Sequence, residues 1–189
     1  VRPLTNYTTD DYNPRINAIG DVAWVGYDNT DYEIYRYDAL TFKTSQLSNN
    51  ATYDYDPQIS DNGNVAWSGY DGEDDEIYLY DALADKVRQL TNNMTYDHTP
   101  RISKNGNVVW YGWDDTVFGD KIYLYDAATA KIRPITNNPV TGVESYSLGI
   151  NAKDDVVWYG SDGTDYEIYI HDGYNPDRDT LIMHIDTAA

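Results

Sequence analysis

Apolar and polar positions along this chain recur with a period of about 43 residues, and within each period they alternate as short β-strands do. The second copy is the clearest. Pro57-Gln58-Ile59-Ser60 leads through Asn62-Gly63 to Val65-Ala66-Trp67-Ser68-Gly69, then Glu76-Ile77-Tyr78-Leu79-Tyr80-Asp81, then Lys86-Val87-Arg88-Gln89-Leu90-Thr91. Four strands per unit follow: A on Pro-x-Ile-x, B on Val-Ala-Trp-x-Gly, C on Glu-Ile-Tyr-x-Tyr and D on Lys-x-Arg-x-Leu-Thr. Asn62-Gly63 and Asn105-Gly106 predict tight A–B turns, and Asp71-Gly72 and Asp162-Gly163 tight B–C turns. Strand C alternates aliphatic with aromatic, Ile77 and Leu79 against Tyr78 and Tyr80, where a half-exposed strand would alternate apolar with polar. Both faces of such a sheet are expected to be covered.

The copies match position by position. Pro14, Pro57 and Pro100 precede Ile16, Ile59 and Ile102 by two residues, while the fourth copy keeps Ile150 but has Leu148 in place of the proline. Trp24, Trp67, Trp110 and Trp158 each fall eight residues after that isoleucine, and Gly26, Gly69, Gly112 and Gly160 two residues later again. Packing between units is the expected role of the four tryptophans, with a bulky neighbour closing over each glycine. A period near 43 with several short strands per unit is the signature of propeller blades, because one four-stranded sheet cannot bury both faces alone. The expectation is therefore an all-β chain, a β-propeller of four four-stranded blades forming a single domain over 1–189. The blades span approximately 12–49, 55–92, 98–137 and 146–186, with 1–5 as an outer strand completing a blade and closing the ring. A complete four-blade ring, a fragment of a larger ring and half of an assembled ring all agree with the repeat.

Three stretches, Pro-x-Ile-Ser-x-Asn-Gly-Asn-Val-x-Trp, Asp-Gly-x-Asp-x-Glu-Ile-Tyr-x-Tyr-Asp and Arg-Gln-Leu-Thr-Asn, resemble the TolB-type, WD-repeat-like propeller repeat over nearly the whole chain. The resemblance implies a propeller of the kind that serves as a docking surface, as an accessory domain of peptidases and glycan-active enzymes, or as part of a cell-envelope machine. Such propellers normally have more than four blades.

Charge narrows the partners. A formal charge of −19 leaves no clustered Lys and Arg for a phosphate backbone, so nucleic acid is not an expected partner. No apolar run approaches the length of a membrane span, and membrane insertion is not expected. Without cysteine the chain has neither disulfides nor thiolate metal sites. The chain opens directly in repeat sequence, which fits a cytosolic protein or a mature exported one. Its Tyr-, Asn- and Thr-rich, Lys-poor composition favours an extracellular or envelope location.

With 27 Asp against 5 Glu, the acid is concentrated in turns, where aspartate both shapes the backbone and keeps a tyrosine-rich β protein soluble. Within the B–C turns it also recurs in register: Asp28, Asp31 and Glu33 return as Asp71, Asp74 and Glu76 and as Asp162, Asp165 and Glu167, while the third copy carries Lys121 in the glutamate's place. Oxygen ligands on a tight loop suit calcium, the one cofactor the sequence suggests. Asn6, Asn50 and Asn93 begin N-x-T sequons in the loops between strand D and the next strand A, and are candidate glycosylation sites in an exported chain. Trp113 occurs once, in the lengthened third B–C turn, as a candidate carbohydrate or protein contact.

Catalysis finds no motif. There is no Gly-x-Ser-x-Gly elbow, no His-Glu-x-x-His pair and no phosphate-cradling glycine loop, and His98, His171 and His184 sit at unrelated repeat positions. The chain is thus expected not to be an enzyme. The termini compete for one strand position: Val1-Arg2-Pro3-Leu4-Thr5 matches Ile132-Arg133-Pro134-Ile135-Thr136, and a second apolar run with Leu181, Ile182, Met183 and Ile185 begins where the fourth strand D is due. Arg2 and Leu4 on one side and Leu181 to Ile185 on the other are the assembly candidates, because an unpaired apolar strand is a template for a neighbouring molecule. The leading expectation is a structural or binding propeller that self-assembles into an oligomer or filament by terminal-strand exchange. Second comes a monomeric carbohydrate- or protein-binding module, and third an acid-site glycan-active enzyme.

Overall fold

The computed structural model describes residues 1–5, 8–137, 147–161 and 164–173. The described residues contain no helix and fold into antiparallel meanders, each one sequence repeat: β1 (Asp11–Ile16), β2 (Val22–Tyr27), β3 (Tyr32–Asp38) and β4 (Lys43–Gln46) make the first. The second consists of β5 (Asp54–Ile59), β6 (Val65–Tyr70), β7 (Asp75–Asp81) and β8 (Lys86–Gln89), and the third of β9 (Asp97–Ile102), β10 (Val108–Asp114), β11 (Gly119–Asp126) and β12 (Lys131–Pro134). Among the described residues the fourth has three strands, β13 (Gly149–Ile150), β14 (Val156–Ser161) and β15 (Tyr166–His171). These are the blades of a β-propeller.

Strand A starts three residues before the proline that marks it in the sequence. Asn13, Asp56 and Thr99, directly before Pro14, Pro57 and Pro100, adopt left-handed backbone angles (φ 49°, 52° and 57°), and the register to strand B shifts there. The repeated bulge bends strand A and sets Asp11, Asp54 and Asp97 opposite Gly26, Gly69 and Gly112. A side chain on any of these glycines would run into that carboxylate and into the ring of Tyr35, Tyr78 or Tyr123, which closes over it. Directly across the B–C pair, Trp24, Trp67, Trp110 and Trp158 stack on Tyr35, Tyr78, Tyr123 and Tyr169, with centroids 5.7–6.0 Å apart and interplanar angles of 12–17°.

The core lies between blades. The tryptophan face of one sheet packs on the opposite face of the sheet before it: Trp67, Val65 and Tyr80 against Ala23, Val25 and Ile34, then Trp110, Val108 and Tyr125 against Ala66, Ile77 and Leu79, then Trp158, Val156 and Leu148 against Val109, Tyr111, Ile122 and Leu124. Sheet faces that carry apolar side chains on both sides are thereby buried on both sides, as the strand C pattern requires.

No core cluster among the described residues joins the fourth blade to the first, and repeat-equivalent positions register the consequence. Ile34, Ile77 and Ile122 are 0% exposed, but Ile168, at the same position in the fourth blade, is 59% exposed. Val157 is 40% exposed where Ala23, Ala66 and Val109 are at 0%. At the other end every residue of β1 is exposed, Ile16 at 71%. The described blades therefore form an open arc, with apolar side chains bare on the outer face of the fourth blade and along strand A of the first, where Trp24 and Tyr37 are nevertheless buried.

The expectation that residues 1–5 form an outer strand completing a blade is corrected here. Val1 to Thr5 form no strand; instead Arg2 donates a 2.8 Å hydrogen bond from Nη2 to the Tyr37 hydroxyl and lies 5.6 Å from the ring centroid, so this segment is held on the first blade. Leu181, Ile182, Met183 and Ile185 lie outside the described residues.

Candidate functional site

One rim of the arc gathers the B–C turns, the loops from strand D to the next strand A, and the bulged starts of strand A. A repeated hydrogen-bond latch ties the blades together there. Between blades one and two, Asn50 N donates to Glu33 Oε1 (2.8 Å) and Ser48 Oγ to Glu33 Oε2 (2.5 Å). Asn50 Nδ2 donates to Asp54 Oδ2 (2.8 Å), and Asp54 Oδ1 accepts the indole N–H of Trp67 (2.8 Å). Between blades two and three the same chain runs through Glu76, Asn93, Asp97 and Trp110, at 2.7, 2.6 and 2.7 Å. Strand D ends early so that Ser48, Thr91 and Thr136 can accept the backbone N–H of Ile34, Ile77 and Ile122, the hydroxyl standing in for a ladder carbonyl.

Glu33 and Glu76 are buried on strand C, and burial pushes both carboxyls up to about 7 against the opposing hydrogen bonds from Ser48 and Asn50, or from Thr91 and Asn93. Burial raises Asp54 and Asp97 in the same way, their hydrogen bonds again opposing.

Of the three recurring acid clusters, two are brought together. The carboxylates of Asp28, Asp31 and Glu33 lie within 4.8 Å of one another, as do those of Asp71, Asp74 and Glu76. Asp28 Oδ1 accepts from Thr30 N (2.7 Å) and Asp31 N (3.2 Å), and Asp71 Oδ1 from Glu73 N (2.9 Å) and Asp74 N (3.3 Å), so the first acid also shapes the turn. The second acid is different. Asp31 is only 4% exposed and neither of its oxygens has a hydrogen-bond donor among the described residues; Asp74 Oδ1 and Glu76 Oε2 are equally without one. Burial and then the charges of Glu33 and Asp28 push Asp31 up, and burial and then Asp71 and Glu73 do so for Asp74. In the fourth blade Asp165 is exposed and Glu167 half-buried, while Asp162 lies outside the described residues.

In the third blade Lys121 occupies the position of Glu33 and Glu76, and its Nζ donates to Asp114 Oδ2 at 2.7 Å. That ammonium holds the Asp114 carboxyl down to about 2, ahead of its hydrogen bonds from Thr116. Beside it a recess of about 280 Å³ is lined by Trp113, Trp110, Tyr123, Asp97, Asp115 and Thr95 among others. Trp113 is 37% exposed, and its indole N–H donates to Asp115 Oδ1 at 2.8 Å.

Asn50 and Asn93 are exposed at the rim, but each amide is engaged: Nδ2 in the latch, and Oδ1 by the backbone and hydroxyl of Thr52 or Thr95 at 2.6–2.8 Å. The sequon threonine therefore has a structural use in these two loops. Asn6 lies outside the described residues. The latch is the functional feature that reading the sequence missed; its signal is the recurrence of Ser/Thr-Asn-Asn, then Asp, then Trp at fixed spacing after the strand C glutamate.

No protein-family model matches the chain, and no curated protein sequence matches it significantly. Among solved structures, TolB from Acinetobacter baumannii is similar over 95% of this chain and 45% of its own, with a TM-score of 0.61 and 17% identity. A puromycin-hydrolyzing peptidase of Mycobacterium tuberculosis is similar over 91% of this chain and 28% of its own (TM-score 0.67, 12% identity), and the tricorn protease over 79% and 16% (TM-score 0.62, 16% identity). This chain spans less than half the length of each of these three proteins. The expectation that it is not an enzyme is corrected by the two peptidases: chains that carry this fold include enzymes, so the propeller cannot be used to exclude catalysis. What the likeness establishes is the fold, a β-propeller of blade repeats like that of TolB.

Proposed function

We propose that this chain is a binding propeller of an extracellular or envelope setting that completes its ring by self-association, two copies docking head to tail, the exposed face of the fourth blade against the exposed strand A side of the first. The supporting observation is the exposure of Ile168 and Val157 at positions that are fully buried in the first three blades. Three times within one chain this same face receives the tryptophan face of a following blade. The partner surface is the outer side of the first blade, where Ile16 and Ile19 are 71% and 63% exposed while Trp24 and Tyr37 are covered within the chain. Two such contacts close a symmetric pair and give eight blades, within the range of propeller rings. Val1 to Thr5, similar in sequence to residues 132–136 at the end of β12 and just beyond it, is held at the first blade through Arg2 and Tyr37. In this reading it pairs with β15 of a second copy, the strand-exchange role of Arg2 and Leu4. The Tyr-, Asn- and Thr-rich, Lys-poor composition supports the extracellular or envelope setting.

The absence of cysteine makes the test clean. The Ile16→Cys/Ile168→Cys double variant, treated with a short bismaleimide, is expected to yield one covalent species of twice the 21.6 kDa chain. A cross-link within one chain, a ladder of higher multiples, or no cross-link at all would overturn the closed pair.

A second reading rests on the third-blade recess, where an exposed indole, a stacked Trp110–Tyr123 pair and flanking carboxylates and hydroxyls offer the mixed apolar and hydrogen-bonding surface that a sugar ring needs. Glycan binding that Trp113→Ala abolishes would support it, and binding unchanged by that variant would sink it.

A further inference from the structure

We propose that the B–C turns of the first and second blades each bind a divalent cation of calcium type, held by Asp28, Asp31 and Glu33 in one and by Asp71, Asp74 and Glu76 in the other. Three carboxylates within 4.8 Å of one another form an all-oxygen, strongly negative donor set on a tight turn, the chemistry of a hard cation. The acids alone do not make the case; the buried aspartates do. Asp31 is 4% exposed, neither of its oxygens has a donor among the described residues, and one of them lies within 4.8 Å of carboxylate oxygens of Asp28 and Glu33. Asp74, 5% exposed, repeats this with Oδ1, and the fully buried Glu76 with Oε2. Burying an anion without a counter-charge or donor is strongly unfavourable, and the sequence does so twice at one repeat position.

The third blade supplies the internal comparison. There the glutamate is Lys121, whose ammonium sits 2.7 Å from Asp114, the counterpart of Asp28 and Asp71. The buried aspartate two residues earlier is Gly119. Where the chain provides a cation of its own, one of the three repeat positions stays acidic; in the first two turns, where it provides none, all three do. A bound cation in the first two turns puts the same sign of charge in the same place in all three blades. It also braces the latch, because Glu33 and Glu76 belong to both. In Glu76 the latch takes Oε1 through Asn93; in Glu33 both oxygens accept latch hydrogen bonds, Oε2 from Ser48 and Oε1 from Asn50, so the ion shares one of them through its second lone pair. The ion's further ligands are water, since calcium takes 6–8 oxygens.

The experiment is a calorimetric and thermal titration of the whole chain, stripped with EDTA and then given calcium chloride, with magnesium chloride and sodium chloride at matched ionic strength as separate arms. Wild type is expected to take up two calcium ions per chain, and its unfolding midpoint to rise by roughly 5–20 °C at about 10 mM calcium if the sites are of the weak extracellular class. Asp31→Asn and Asp74→Asn are each expected to lower the stoichiometry to one and together to abolish it, while Asp114→Asn leaves two. Because the asparagine variants relieve carboxylate repulsion, the stripped forms are expected to unfold no lower than stripped wild type, which separates a lost site from a lost fold. Absence of uptake by wild type, a stoichiometry indifferent to Asp31→Asn and Asp74→Asn, or an equal response to sodium would overturn the proposal, the last by reducing the effect to screening of the −19 charge.

Discussion

The latch between blades makes a quantitative demand that a double-mutant cycle can meet. Trp110 is fully buried, and its indole N–H is the donor to Asp97 Oδ1 at 2.7 Å; Asp97 is itself buried and takes its other bond from Asn93. Trp110→Phe keeps most of the stacking on Tyr123 but leaves the carboxylate one donor short in a low-dielectric site. A hydrogen bond to a charged group contributes about 1.5–3 kcal/mol, and the smaller ring adds a packing loss, so the single variant should cost about 2–4 kcal/mol. For a chain of this size that is a fall of roughly 4–16 °C in the unfolding midpoint. Asp97→Ala removes the acceptor and also frees Asn93. In the double variant the shared term must appear once only, giving a coupling energy of about 1.5–3 kcal/mol by denaturant unfolding. A coupling below about 0.5 kcal/mol would mean that tryptophan and aspartate act independently, and the latch would then be a geometric coincidence.

Other consequences can be checked with the same assays. Gly69→Ala should destabilise the chain by at least about 1–3 kcal/mol in denaturant unfolding, because the new methyl meets the Asp54 carboxylate and the Tyr78 ring. Ile168→Asp should leave the unfolding midpoint of the single chain nearly unchanged while preventing association, whereas Ile122→Asp, at the same repeat position but fully buried, should abolish folding as read by near-ultraviolet circular dichroism. Trp113→Ala should shift stability by no more than about 0.5 kcal/mol, since the ring is partly exposed near the end of β10, beside the lengthened turn, so any lost glycan affinity would be a direct effect. EDTA should lower the midpoint of wild type and leave that of the Asp31→Asn/Asp74→Asn variant unmoved.

Much of the fold was legible because one unit is written four times. The Trp, the Gly two residues on and the Ile-Tyr-x-Tyr run placed strands B and C correctly, and the aliphatic–aromatic alternation of strand C foretold sheets buried on both faces. Strand A was read too short because its first residues, Asp54-Tyr55-Asp56, resemble a turn: aspartates with a left-handed residue before a proline. The latch escaped notice for a related reason. Its members are Ser, Asn and Asp in a loop, residues that composition alone assigns to solvent, and only the bulge aims Asp54 and Asp97 inward at an indole. The acid clusters were visible as repeated spacing, but what sets Asp31 apart from Asp28 is burial without a donor, which no spacing reveals. Whether the ring closes depends on the register between first and last blades, and identical repeats carry no information on how many of them complete a circle.

The most direct test of the account is the native mass of the purified chain in solution, measured by light scattering. Two copies closing one ring predict about twice the 21.6 kDa of a single chain, reduced to one chain by Ile168→Asp. A wild-type chain that scatters as a single 21.6 kDa particle, with Ile168→Asp indistinguishable from it, would contradict ring completion by a second copy.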